Sequence, residues 1–328
     1  MDIEIRTRLS GEKLNIWKSF LKEAELEADL ACEQTVLVWD EGELVATGSR
    51  QQNLLKCIAV SKERQGEGIT ATLLTALRKE AFAAGYQHLF LYTKPKNEFM
   101  FSSLFFYSVA KTDKVLLMED KKGGINEFLD SLKREEQGGV VGALVMNCNP
   151  FTLGHRYLIE KAATECDKVY VFVLSEDKSE FSFKDRIEMV RLGVADLKNV
   201  SVLETGPYLI SSATFPTYFL KDRENVNAVQ CDLDIEIFTK YFVPYFNINR
   251  RYVGTEPFSP MTEMYNQKLL QKLTERGIEV RLISRLEKEG AAVSASRFRQ
   301  SLKDGDVEGA KKLVPQSTFD YMISNNLL

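Results

Sequence analysis

The sequence predicts an α/β protein of two domains in tandem, a mixed sheet first and a doubly wound parallel sheet second. Three observations carry this. Over roughly the first 120 residues, strand-like runs follow one another with a helix only between some of them. From Val140 onward, continuous apolar strands alternate with helices, the pattern of a parallel sheet covered on both faces. Between the two, Arg134 to Gly139 (Arg-Glu-Glu-Gln-Gly-Gly) is polar and ends in glycine. A boundary there defines domains of 1–134 and 139–328. A length of 328 residues agrees with two domains at roughly 100–200 residues each.

In the first domain, Ile3–Arg8 alternates as a strand does, and Glu12–Ala31 has helical periodicity. Strands follow at Thr35–Trp39, Glu43–Gly48 and Leu54–Val60, the first two joined by the turn Asp40-Glu41-Gly42. A helix over Ile69–Ala84 ends at Gly85, and strands at His88–Tyr92 and Thr112–Met118 complete the domain. In the second domain the order is strand Val140–Asn147, helix Gly154–Glu165, strand Lys168–Leu174, helix Lys184–Ala195 and strand Val200–Leu203. A helix over Ile235–Phe246, a strand at Tyr252–Gly254, a helix over Thr262–Arg276 and a strand at Glu279–Ile283 continue it. Small helices finish the chain after Ser296.

Composition narrows the function. The chain is 44% hydrophobic and 27% charged, an ordinary globular profile. Its 43 basic and 47 acidic residues leave a net charge of −4, with no long basic run, which argues against a nucleic-acid partner. The five cysteines (Cys32, Cys57, Cys148, Cys166, Cys231) are scattered, with no CxxC pair, and histidines number two. Neither a structural metal site nor a disulfide framework is expected, and a reducing, cytoplasmic setting fits. The charged N-terminus lacks the apolar core of a signal peptide. The longest apolar stretch, Gly138–Met146, falls short of the ~20 residues a membrane helix needs.

Three motifs carry chemistry. The first is Gln65-Gly66-Glu67-Gly68-Ile69-Thr70, between a strand and a helix. Glycines there let backbone N–H groups approach a pyrophosphate at a helix N-terminus. The same stretch also reads as a tight turn and helix cap. The second, Asn147-Cys148-Asn149-Pro150-Phe151-Thr152-Leu153-Gly154-His155, leaves the first buried strand and opens a helix. Gly154 would let a triphosphate sit against the backbone. His155 and Thr152 would donate to an α-phosphate, with Asn149 and Phe151 beside them. The third is Val293-Ser294-Ala295-Ser296-Arg297-Phe298-Arg299. Ser294 and Ser296 at a helix start, with Arg299 one turn on, form a second anion cradle for the β- and γ-phosphates.

Weaker candidates surround these. Lys178, Lys184 and Arg186 follow the second buried strand, at the edge where open α/β sheets bind ligands. Arg251 to Phe258, including Gly254, could line an adenine or acceptor pocket. Asp232 and Asp234 read better as helix-capping acids than as Mg²⁺ ligands. His88 reads as structural. Tyr107 is a candidate proton donor and equally a core residue.

The first motif and its strand order resemble the GNAT acetyltransferase fold, in the Q/R-x-x-G-x-G/A loop. The sequence departs from that pattern with Thr70 at its last small position and with Phe105-Phe106 where a Gly-Phe pair is usual. Thr152-Leu153-Gly154-His155 resembles the (H/T)xGH signature of Rossmann-like nucleotidyltransferases, and Ser294–Arg299 resembles their I-S-x-T-x-x-R motif. With Gly254-Thr255-Glu256-Pro257-Phe258 and Tyr265-Asn266, the combination resembles the citrate lyase ligase family over nearly the full length. The resemblance implies an AMP-forming acid–thiol ligase. ATP, with Mg²⁺, and acetate would give acetyl-adenylate and pyrophosphate. The acetyl group would pass to the thiol of the citrate lyase acyl carrier subunit and switch the lyase on. No nucleic acid or membrane partner is implied. Two other classes fit the phosphate motifs: a nucleotidyltransferase acting on a phosphate-bearing cofactor precursor, and an acetyl-CoA-dependent acetyltransferase with a nucleotide-sensing domain.

Overall fold

The computed structural model describes residues 1–135, 138–176, 178–210, 215–220, 226–255, 260–288 and 290–328. The chain divides into two compact units. One holds residues 1–124 and 216–229, the other 125–215 and 230–328. The described residues among 216–229 thus group with the first unit although they follow most of its sequence by nearly a hundred positions.

The first unit is a seven-stranded sheet. Its elements are β1 (Asp2–Arg6), α1 (Gly11–Glu23), β2 (Gln34–Asp40), β3 (Glu43–Gln51), β4 (Leu54–Val60), α2 (Ile69–Ala83), β5 (Phe90–Thr93), α3 (Glu98–Ser102), β6 (Tyr107–Lys111) and β7 (Leu116–Glu119). The strand order is β1-β2-β3-β4-β5-β7-β6. All neighbours are antiparallel except β4 and β5, which are parallel. That one pair is brief: Leu54 faces Phe90 and Leu55 faces Leu91, and no further partners follow. Beyond them the strands splay and open a cleft at their carboxyl ends.

Helix α2 buries Ile69, Leu73, Leu74, Leu77 and Ala81 against this sheet, the spacing of one helical face. Each leucine removed fully from water contributes about 1.5–3 kcal/mol. Close packing needs Gly48 on β3, where a Cβ would lie 2.8 Å from Leu77 Cδ1. Helix α1 buries Trp17 and Leu21, and the Trp17 indole donates to Thr47 Oγ1 at 3.0 Å.

Two expectations change here. The first helix stops at Glu23 rather than Ala31, because Glu25 turns left-handed (φ 58°) and Leu26 N–H closes back onto Leu21 C=O at 2.8 Å. The last expected strand becomes a hairpin of β6 and β7, with Thr112 N–H bonded to Val115 C=O across the turn.

Between the two sheets in the chain lies α4 (Gly124–Ser131). The second unit then runs β8 (Val141–Met146), α5 (Leu153–Glu165), β9 (Lys168–Val173), α6 (Phe183–Gly193), β10 (Val200–Glu204), α7 (Val226–Ile237, of which it holds Gln230 onward), a π-helical turn (Phe238–Phe242), α8 (Val243–Phe246), β11 (Arg250–Gly254), α9 (Pro260–Thr274) and β12 (Glu279–Ile283). A two-stranded ribbon, β13 (Glu287–Lys288) and β14 (Ala291–Ala292), leads into α10 (Ala295–Lys303), α11 (Val307–Lys311) and α12 (Gln316–Ser324).

The five-stranded sheet is parallel throughout, in the order β10-β9-β8-β11-β12. This is the doubly wound sheet expected. Strand order reverses between β8 and β11, so the crevice at the carboxyl ends of those two strands is the natural ligand site. One face packs Leu144, Met146, Val169 and Val171 into a core with Phe151, Ile159 and Phe298. On the other, Phe172 meets the rings of Phe242 and Phe246, each at 5.2 Å between centroids. Helix α7 begins at Val226, nine residues before the expected start. Most of its second half is buried, so no polar stripe reveals it.

Candidate functional site

The expected (H/T)xGH stretch is the loop leaving β8 and the first turn of α5. Thr152 is the N-cap. Its hydroxyl accepts the His155 N–H at 3.4 Å, while His155 Nδ1 accepts the Thr152 backbone N–H at 3.0 Å. This reciprocal capping box has a chemical consequence. A ring nitrogen that accepts from a backbone N–H carries no proton, so the neutral imidazole keeps its hydrogen on Nε2. Burial, aided by the positive charge of Arg285, pushes the His155 pKa down to about 4. At neutral pH His155 is therefore an uncharged hydrogen-bond donor with a fixed tautomer. Below it lies Phe151, its ring stacked at 14° and 6.0 Å between centroids.

The third motif meets this turn directly. The ribbon of β13 and β14 delivers Val293, and Ser294 caps α10 by accepting the Arg297 N–H at 3.1 Å. Val293 C=O lies against Gly154, where a Cβ would be 2.9 Å away, so only glycine allows α5 to start this close. Arg299 donates through Nη1 to the Asn149 carbonyl and through Nη2 to Ser296 Oγ at 3.4 Å. Its Nε lies 3.5 Å from Glu180 Oε2. One edge of the sheet thus gathers Asn149, His155, Ser296 and Arg299, with two helix N-termini beside them. N–H groups at such ends favour anions.

The first motif lies in the first unit, where Gln65, Gly66, Gly68 and Thr70 all line the cleft opened by the splay of β4 and β5. The cleft has a volume of about 1080 Å³. Gly66 (φ 89°) and Gly68 (φ 76°) are left-handed, which glycine adopts without strain. Gly68 is the N-cap of α2 and brings no side chain to it, so the Ile69 and Thr70 N–H groups at the start of this 15-residue helix have no side-chain cap, while the Ala71 N–H bonds to Gly68 C=O at 3.0 Å. Lys62, Lys94 and Lys96 also line it. The buried Ser61 hydroxyl at its wall has no hydrogen-bond partner among the described residues.

Comparison with known proteins bears on this pair of sites. A family described as the citrate lyase ligase C-terminal domain matches residues 141–322, and the GNAT acetyltransferase family matches residues 4–101. The [citrate [pro-3S]-lyase] ligase of Klebsiella pneumoniae is 38% identical over 310 residues, 93% of this chain and 91% of that protein. The chain belongs to the citrate lyase ligase family. The same-named ligase of Escherichia coli (strain K12) is 37% identical over 100% of this chain and 95% of its own length. That of Haemophilus influenzae is 34% identical over 96% and 97%. Like these ligases, the family member described here is an enzyme.

Not every expected ligand residue faces a ligand. Arg186 was expected at the phosphates, but it is wholly buried and its guanidinium is spent on the protein. Nε donates to Phe181 C=O at 3.1 Å, Nη1 to Asn147 C=O and Asn147 Oδ1 at 2.7 Å each, and Nη2 to Glu176 C=O. It braces the loops after β8 and β9. Phe151 is fully buried, touching Gly193 on α6, where a Cβ would clash at 2.3 Å. It supports His155 rather than a base or sugar. Thr152 is 1% exposed, and its hydroxyl is shared with His155 rather than offered outward. Ser294 likewise spends its hydroxyl on the α10 cap, whereas Ser296 is exposed.

Asn149 is half-buried, and its Oδ1 accepts the Phe181 N–H at 3.1 Å. Lys178 and Lys184 are exposed on the loop after β9 and the first turn of α6. Gly254 ends β11, its carbonyl accepting from Asn266 Nδ2 at 3.1 Å. Glu256, Pro257 and Phe258 lie outside the described residues. Asp232 pairs with Lys268 and Lys272, and His88 with Glu119 at 2.9 Å, both structural arrangements. Tyr107 is half-buried and is not among the residues lining the cleft. Phe105, where the GNAT pattern has glycine, holds φ 63°.

Three residues escaped sequence reasoning. Arg285 follows β12, donates to Thr255 C=O at 2.8 Å, and places its charge near His155. Its position at a strand's carboxyl end was the available signal. Tyr218 and Phe219 line the first unit's cleft, with Tyr218 Oη donating to Tyr92 C=O at 2.9 Å. No local signal links them to β5.

Proposed function

We propose that this enzyme activates acetate with ATP and acetylates the thiol of the citrate lyase acyl carrier. One acetate oxygen bonds to the α-phosphorus while the bond to the bridging oxygen breaks, and pyrophosphate leaves with that electron pair. The carrier sulfur then bonds to the acetyl carbonyl carbon. The carbon–oxygen bond to AMP breaks, and the thiol proton passes to solvent. The observation that carries the reading is the meeting of the two phosphate motifs around the neutral, Nε2-protonated His155. No enzyme nucleophile is required, because orientation and preorganised donors lower such barriers.

In this scheme His155 Nε2–H donates to the α-phosphate as charge builds in the transition state. Arg299 and Ser296 hold the departing pyrophosphate, Arg299 exchanging its protein carbonyl for phosphate oxygens. Asn149, Gly154, Gly254 and Lys178 shape the nucleotide site, while Thr152, Ser294, Phe151 and Arg186 hold its parts in place. Among the described residues no group of three or more His, Cys, Asp or Glu is arranged so that it could hold a metal ion. A Mg²⁺ ion bound to ATP through phosphate and water oxygens would neutralise the triphosphate.

The work divides between residues 139–328, which form the adenylate, and residues 1–134, which receive the carrier's prosthetic arm. That arm resembles CoA, and the cleft with Gln65, Gly66, Gly68 and Thr70 offers open N–H groups for its pyrophosphate. No helix among the described residues is long and apolar enough to cross a membrane. ATP–pyrophosphate exchange with a panel of carboxylates tests the reading. Acetate-dependent exchange, followed by acetylation of the carrier, is the expected result. Exchange that requires a phosphomonoester instead, or acetyl transfer from acetyl-CoA without ATP, would overturn it.

A further inference from the structure

The cleft of the first unit passes through its sheet rather than lying on one face. Thr47 and Gly48 are neighbours on β3, so they point to opposite faces. Thr47 receives the Trp17 indole of α1 at 3.0 Å, whereas a Cβ on Gly48 would meet Leu77 of α2. Helices α1 and α2 therefore cover opposite faces. The cleft is lined from both, by Phe20 and Leu26 at the end of α1 and by Gly68, Thr70 and Ala71 at the start of α2. The passage between them is the gap where β4 and β5 part after Leu55 and Leu91.

On the α1 side of this passage stand two residues from far along the chain. Tyr218 and Phe219 line it, 7% and 2% exposed, their rings edge to face at 5.2 Å between centroids. Tyr218 is fastened twice. Its C=O accepts the Glu27 N–H at 2.7 Å, and its hydroxyl donates to Tyr92 C=O at 2.9 Å. The Phe90 N–H bonds to Asn53 C=O beside the start of β4. Alternate residues of a strand turn their backbone groups the same way, so the Tyr92 carbonyl on β5 also faces β4, across the gap. Parting the strands leaves that carbonyl without a ladder partner, and the Tyr218 hydroxyl serves instead. Burial pushes this hydroxyl well above the ordinary tyrosine pKa, so it remains a neutral donor.

We infer that Tyr218 and Phe219 are positioning residues for acetyl transfer, forming the stop that sets where the thiol of the carrier's arm comes to rest. An arm whose pyrophosphate meets the Gly66–Gly68 loop on the α2 face, and which threads the gap, brings its thiol out on the α1 face against these two rings. Attack on the acetyl carbonyl needs the reacting atoms held about 3–3.5 Å apart, and a wall of fastened aromatic rings fixes one of them. In the chain, Phe215 before these residues and Gln230 onward after them belong to the other unit, the one assigned to the adenylate. Residues 1–134 thus do not complete the arm site by themselves. The inference rests on the reading that the arm enters this cleft, and names the residues that place its sulfur.

The test is steady-state acetyl transfer to the carrier, beside ATP–pyrophosphate exchange, by the full chain carrying Phe219→Ala, Phe219→Leu or Tyr218→Phe. In Phe219→Ala the kcat for transfer should fall about 10- to 100-fold, the cost of a misplaced reacting group. The KM for the carrier should not move, because the glycine loop still holds the arm, and acetate-dependent exchange should persist. Phe219→Leu should recover part of the kcat by restoring bulk. Tyr218→Phe keeps the ring and loses one hydrogen bond. Its kcat for transfer should fall about three- to tenfold, and it decides the matter if Phe219→Ala does not fold. An unchanged transfer kcat in either folded variant overturns the inference. So does a rise in carrier KM alone, or a loss that extends equally to exchange, the pattern of a structural residue. Gly68→Val, assayed alongside, separates the inference from the reading beneath it. Unimpaired transfer by that variant would reject entry of the arm into the cleft itself.

Discussion

The Asn149 backbone carbonyl accepts a hydrogen bond from the Arg299 guanidinium, 150 positions away in the chain. That bond closes the site. Asn149 belongs to the loop that sets up His155, and Arg299 to the helix that brings Ser296. The other partners of the guanidinium are Ser296 Oγ at 3.4 Å and Glu180 Oε2 at 3.5 Å, and a phosphate would offer the same fork a doubly charged, bidentate match. In the proposed reading, Arg299 would exchange these protein partners for phosphate oxygens when ATP binds.

Arg299→Ala should lower exchange at limiting ATP by about 10- to 100-fold, the loss of a charge-assisted contact. Arg299→Lys should restore part of it, since an ammonium supplies the charge without the fork. Initial rates against ATP concentration decide. An alanine variant equal to wild type at low ATP would remove Arg299 from the phosphates.

His155→Ala should reduce acetate-dependent AMP formation by about 10²–10³, the usual cost of one preorganised donor. It also breaks the capping box with Thr152, at about 0.5–2 kcal/mol of stability. Circular dichroism should show a folded protein while AMP formation collapses. Substantial AMP formation by the folded variant would refute the role given to Nε2–H.

The depressed His155 pKa makes a separate claim about stability. Unfolded histidine takes up its proton near pH 6.5, whereas His155 in the fold waits until about pH 4. Between those values the unfolded state binds the extra proton, so falling pH favours unfolding. The stabilising effect of a neutral His155 is complete above about pH 6.5 and erodes toward pH 4. Wild type should lose more melting temperature between pH 7 and pH 5 than His155→Gln does, in the absence of nucleotide. Parallel curves would show that His155 is not held neutral.

These residues also mark what the sequence made legible. Thr152, Gly154 and His155 are readable because a cap, a close approach and a ring on one helical turn are a local pattern. The parallel sheet is readable because Val141–Met146 and Lys168–Val173 are apolar on both faces. Arg186 misleads because a cation near a strand's carboxyl end looks the same whether it faces phosphate or spans two loops. Arg285 is silent because its nearness to His155 depends on β12 lying beyond β11 in the sheet order. Tyr218 and Phe219 join the first unit's cleft through contacts that span more than a hundred residues.

The division of labour is tested at Gly68. This residue combines a left-handed backbone with the N-cap of α2, and a Cβ built there meets nothing within 4 Å. A larger residue would clash with no protein atom, and its cost is conformational, about 1–2 kcal/mol for an L side chain in that region. A valine at Gly68 should therefore leave the protein folded, while its side chain obstructs approach of a pyrophosphate to the first-turn N–H groups. Gly66 (φ 89°) should behave alike. If the carrier's arm enters by this loop, Gly68→Val lowers acetyl transfer to the carrier by about tenfold or more, the loss of a charge-assisted contact. ATP–pyrophosphate exchange with acetate should persist, because every residue assigned to it lies after Gly139. Measuring both activities on one preparation separates the outcomes. Loss of transfer alone supports arm binding in the first unit. Equal loss of both, or of neither, in a variant with wild-type circular dichroism would reject it.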